Sequence, residues 1–134
     1  MSTVSVSERW YTGLRSRRSR EQGLFALGTL LVGIHVVDEL VNAREFEPSK
    51  AMILVMLALV PLFPALSAGW QAGLAIGFGL IRLAGSVEHT LAVLRGTPGP
   101  SDYTGLVQAL GGLILIGVGV AVAVRQRRRA TQAA

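Results

Sequence analysis

The chain has 134 residues, 51% of them hydrophobic and 16% charged, where about 25% charged is usual for a soluble protein. The length fits one domain and the apolar content excludes a disordered chain. The absence of cysteine excludes disulfides, zinc fingers, iron–sulfur clusters and thiol catalysis.

Residues 1–22 form a basic segment carrying Arg9, Arg15, Arg17, Arg18 and Arg20. Trp10 and Tyr11 suit a membrane interface, and Ser7 to Gln22 predicts a short helix lying on the inner leaflet. The net charge of +5 resides in this segment and in the C-terminal tail, where it contacts anionic lipid. Nucleic-acid binding is not expected, because aromatics are not interleaved with the basic residues.

Residues 23–124 read as an all-α, four-helix transmembrane bundle. Its apolar runs predict helices over about 23–42, 51–68, 71–95 and 103–124, each near the roughly 20 residues that cross a bilayer. Pro61 and Pro64 predict a kink in the second helix. The links are short, and the last one, RGTPGPSDY, contains Gly and Pro that cannot continue a helix. Residues 125–134 form a basic tail. Nine Lys or Arg flank the termini and three (Arg44, Lys50, Arg95) the opposite side, which places both termini in the cytoplasm. A cleaved signal peptide is the competing reading of Arg17-Arg18 and the run after it. The run is longer than a signal core and ends in His35, Asp38 and Glu39, which argues against cleavage.

Ionisable groups at membrane depth cost about 2.5 kcal/mol or more each, so they point to function by default. The first helix carries His35, Asp38, Glu39 and Asn42 at i, i+3, i+4, i+7, one stripe with Gly28 on its inward side. The third carries Arg82, Gly85, Ser86 and His89 in the same spacing, with Glu88 a quarter-turn away. The fourth carries Gln108 on a face shared with Gly105, Gly111, Gly112 and Gly119. A rise of about 1.5 Å per residue brings these groups to one level in the outer half of the bundle. Gly73 and Gly77 form a GxxxG match for helix packing.

Asp38, Glu39 and Glu88 against Arg82 leave two negative charges. One divalent cation, protonated carboxylates or charged histidines would each neutralise them. The metal ligand candidates are His35, Asp38, Glu39, Glu88 and His89, a donor set suited to zinc, manganese or iron. The catalytic candidates are His35, Glu39 and Glu88. Arg82, pairing with Asp38 or Glu39, and Gln108, bridging helices, are supporting residues. Glu45, Glu47 and Asp102 read as solvated loop residues. An interhelical ion-pair cluster that only sets register is the competing account, although such contacts contribute only about 0.6–2 kcal/mol each.

His35-Val-Val-Asp38-Glu39 at the end of a first membrane helix, with Glu88-His89 later, resembles the HXXEE family of small bacterial membrane proteins. Asp38 stands where that motif has its first Glu. The resemblance implies a location in the bacterial inner membrane and a metal-binding or catalytic role for the His and acidic residues. The polar residues themselves leave three function classes open: a metal-dependent or acid–base enzyme acting on a lipid-soluble substrate, a small transporter or proton relay, and a non-catalytic accessory subunit. The last implies a homo-oligomer or a partner membrane subunit. Reporter fusions at Ala134 and near Pro98 are expected to report opposite sides of the membrane, and a mature chain beginning at Arg44 would contradict this topology.

Overall fold

In the computed structural model, which describes residues 6–43 and 48–133, the chain is all helical. The elements are α1 (Val6–Ala43), α2 (Pro48–Leu62), a 3-10 turn (Phe63–Ala65), α3 (Ala68–Gly85), α4 (Val87–Leu94) and α5 (Asp102–Ala133). Two stretches, Arg20–Asn42 and Asp102–Ala133, are long and apolar enough to cross a membrane by length and composition. Arg44, Glu45 and Glu47 lie outside the described residues, as do the side chains of Trp10 and Tyr11.

Four boundaries depart from those read in the sequence. The basic N-terminal segment is no separate helix but the start of α1, which runs unbroken for 38 residues, with no proline to stop it. The second helix ends at Leu62 rather than 68. Pro64 disfavours helical backbone at Phe63, and the chain tightens into the 3-10 turn. The third helix is bent into α3 and α4 at Ser86, whose amide meets the carbonyls of Arg82 and Leu83 while its hydroxyl donates to Leu83 O at 2.7 Å. The last helix continues through the basic tail to Ala133, because Arg, Gln and Ala are good helix formers and nothing breaks the run.

α5 is the spine. On one side it meets α1, where a Cβ on Gly111 would lie 2.7 Å from Gly28 O. On the other it meets α3, where a Cβ on Gly79 would lie 2.7 Å from Gly112 O and one on Gly119 2.8 Å from Ala72 O. These are backbone-to-backbone contacts, closer than any side chain allows. α2 packs against α1. Phe25 of α1 stacks on Phe63 with ring centroids 4.3 Å apart, and Gln71 donates to Phe63 O at 2.7 Å, tying the 3-10 turn to α3. The core between these elements contains Val32, Val36, Ile53, Met56, Ala75, Leu115 and Val118. Outward faces remain apolar, with Val37, Leu54, Leu80 and Leu113 each more than half exposed.

Gly73 and Gly77, the GxxxG match, face open space, so the seam within the chain is built from other glycines. Gly79→Ala is expected to cost about 1–3 kcal/mol through overpacking. Gly77→Ala is expected to be neutral or to gain up to about 1 kcal/mol of helix propensity. Reversible unfolding in mixed micelles checks both.

Candidate metal centre

Four segments meet at the level of His35. α1 presents His35, Asp38 and Glu39 on one stripe. α4 presents His89. The first turn of α5 supplies Asp102 and Thr104, and the first turn of α2 supplies Lys50. Local backbone features aim the last of these elements. α4 ends at Leu94 with Arg95 as its cap, and Gly96 adopts a left-handed conformation at φ 73°. The Gly96 and Thr97 amides donate to Val93 O and Ala92 O, a Schellman closure. The chain then turns back so that Asp102 starts α5 beside His89. Gly105 completes the fit, since a Cβ there would lie 2.3 Å from His89 Cβ.

The hydrogen bonds fix which nitrogen of each histidine carries hydrogen. His89 Nδ1 lies 2.8 Å from Asp102 Oδ1, and an ionised carboxylate only accepts, so His89 donates from Nδ1. Asp102 Oδ2 accepts from the Gly99 amide at 2.5 Å. The Thr104 hydroxyl lies 2.6 Å from Asp38 Oδ2, 2.9 Å from Ser101 O and 3.0 Å from His35 Nδ1. Two of these neighbours are pure acceptors, and the Asp38 contact has the length of a charge-assisted O–H···O bond. The single hydroxyl hydrogen therefore goes to Asp38, and Thr104 accepts from His35 Nδ1. Both rings thus turn Nε2 toward Glu39, and in the neutral imidazoles those atoms carry no hydrogen.

Those Nε2 atoms lie 3.6 Å (His35) and 3.8 Å (His89) from Glu39 Oε1, too far for hydrogen bonds. One donor atom from each of His35, Glu39 and His89 lies within 4.8 Å of the others. The imidazoles meet edge to face, with centroids 4.7 Å apart. With both imidazoles neutral, three lone pairs converge without hydrogen between them, and a proton on one Nε2 or a cation at the centre removes the repulsion. His35 is 2% exposed and forms the floor, while Glu39 and His89, at 24% and 23%, stand at an open rim. The donor set fits a divalent transition metal: two imidazoles and one carboxylate, with the second nitrogen of each ring hydrogen-bonded to an oxygen.

The remaining residues singled out in the sequence separate clearly. Asp38 stands behind His35 through Thr104 and also accepts from Asn42 Nδ2 at 2.8 Å. Glu88 is exposed and outside the His–Glu group. Gln108 donates to Arg82 O at 3.1 Å and bridges α5 to the third helix. Arg82 is buried at 8% exposure and feels the Glu39 charge.

Asp102, Thr104 and Lys50 escaped the sequence reading. Asp102 looked solvated because it adjoins a Gly/Pro-rich link. The usable signal was that link's shortness, which forces an acid opening α5 to lie beside the last turns of the preceding helix. With Asp102 and Lys50 included and Glu88 outside, three carboxylates face two cations, leaving one negative charge rather than two.

Gly105→Ala is expected to push His89 off Asp102. The Nδ1–H signature in imidazole 15N spectra should be lost, at a stability cost of about 1–3 kcal/mol. Gly117→Ala, where a Cβ meets nothing within 4 Å, should leave it intact.

The chain matches no family model, curated protein or solved structure with which it was compared.

Proposed function

We propose that this is an integral membrane protein in which α1, α2 with its 3-10 turn, the bent α3–α4 pair and α5 each cross the bilayer, with both termini cytoplasmic. In the outer half of this bundle, His35, Glu39 and His89 bind one divalent transition metal (zinc, manganese or iron). The membrane reading is supported by the two long apolar stretches, the apolar outward faces and the Lys/Arg asymmetry. α2 and its turn together rise about 28 Å, close to a hydrocarbon core.

The observation that carries the metal reading is the convergence of two Nε2 atoms on one carboxylate oxygen, each ring held from behind at Nδ1. Three protein ligands and an open rim leave a position for substrate or water, as catalytic metal sites do. A bound metal there supplies Lewis acidity or a water of lowered pKa. The chain's own contribution is to hold the rings through Asp102 and Thr104 and to present the rim to a lipid-soluble substrate. The resemblance to the HXXEE motif fits this division: His35 and Glu39 face the centre, while Asp38 acts from behind and needs only to reach Thr104.

A second reading has one specific observation in its favour. The 2.8 Å bond from His89 to Asp102 is also how a general base is oriented in metal-free acid–base catalysis.

Elemental analysis of the detergent-purified chain separates the two. The metal reading expects about one metal per chain, lost in His35→Ala, His89→Ala and Glu39→Gln but kept in Gln108→Ala and Glu88→Gln. It also expects affinity to fall with acidification, since binding requires neutral imidazoles. A wild-type protein that carries no metal and takes none up overturns it in favour of acid–base chemistry.

A further inference from the structure

The metal reading uses only one oxygen of Glu39. Oε1 faces both histidines, whereas Oε2 lies 3.7 Å from Lys50 Nζ. Lys50 enters from the first turn of α2 and is 8% exposed. Lysine is almost never so deeply buried without a charged partner, and taking its ammonium out of water is costly unless an opposite charge is held close. The chain nevertheless places it on the oxygen that the histidines leave unused, so the two ends of one carboxylate serve two different positive centres.

We propose that Lys50 is a positioning residue that reserves Glu39 Oε2, so that Glu39 binds a divalent cation through Oε1 alone; this inference rests on the metal reading above. A cation drawn to both oxygens would have to approach the ammonium, and like charges at that range repel strongly. With Glu39 held to a single bond, one more coordination position stays available to an oxygen of water or substrate. The same ammonium offsets part of the negative charge of Asp38, Glu39 and Asp102, which trades cation affinity for a more electrophilic bound metal.

The full chain in detergent is titrated with Co(II), and the visible d–d spectrum is recorded for wild type, Lys50→Met, Lys50→Gln and Lys50→Arg. Removing the ammonium should tighten Co(II) binding about tenfold, the weak limit for a unit charge beside a divalent ion in a water-like dielectric. The absorption of the Met and Gln variants should also lose intensity as the coordination number rises. Lys50→Arg keeps the charge and should retain the wild-type spectrum. Met and Gln variants that bind Co(II) as the wild type does, or more weakly with the same spectrum, would show that Lys50 merely packs against Glu39 and would overturn this inference while leaving the metal site standing. A wild-type protein that takes up no Co(II) overturns both. Helical circular dichroism and a single elution peak for each variant establish that the comparison is between folded proteins.

Discussion

How closely α5 can approach its neighbours governs the architecture. Gly111 and Gly28 bring α5 backbone to backbone with α1, and Gly79, Gly112 and Gly119 do the same with α3. On the membrane reading, packing between helices has no water to expel, so it relies on close van der Waals contact and hydrogen bonds. The glycines supply that contact on two faces of a single helix. They also set the distance at which the start of α5 reaches its neighbours. A wider separation on either side would carry Thr104 away from His35, or Asp102 away from His89.

The polar cluster is satisfied from the outside in. Each histidine is held at Nδ1 by a residue of α5, and each of those residues is held in turn, Asp102 by the Gly99 amide and Thr104 by its bond to Asp38. Chains of this kind are favourable only when every member is paired, because an orphaned polar group in a low-dielectric setting forfeits its hydration. The inner atoms are the exception. Two Nε2 atoms face Oε1 at 3.6 and 3.8 Å, beyond hydrogen-bond length. The periphery is therefore paired more tightly than the centre.

Much of this could be read from residue spacing, and the remainder could not for definite reasons. The i, i+4 relation of His35 and Glu39 puts them on one helix face in any helical structure, and depth counting brought His89 to the same level. Side-chain direction was harder. Glu88 is adjacent to His89 in sequence but lies round the helix from it, and the break at Ser86 interrupts the helix just before both. The anchors were harder still, because Asp102 and Thr104 precede or open an apolar run, where acids and threonines ordinarily cap helices. Only the close α5 seam makes them partners of α1 and α4, and that seam depends on which glycines face which backbone. Gly73 and Gly77 matched a packing motif yet face open space, while Gly79, outside the motif, makes the contact.

The distribution of the cluster along the chain has a consequence for biosynthesis. His35 and Glu39 emerge from the ribosome before His89, and Asp102 and Thr104 only with the start of α5. On the proposed topology the first helix enters the bilayer with its histidine unanchored and its carboxylate alone. Neither imidazole has its nitrogen fixed until the last segment has been inserted and has closed against the others. On the metal reading, chains cut before Thr104 lack both anchors, and the insertion of α5 is the step at which the centre can form.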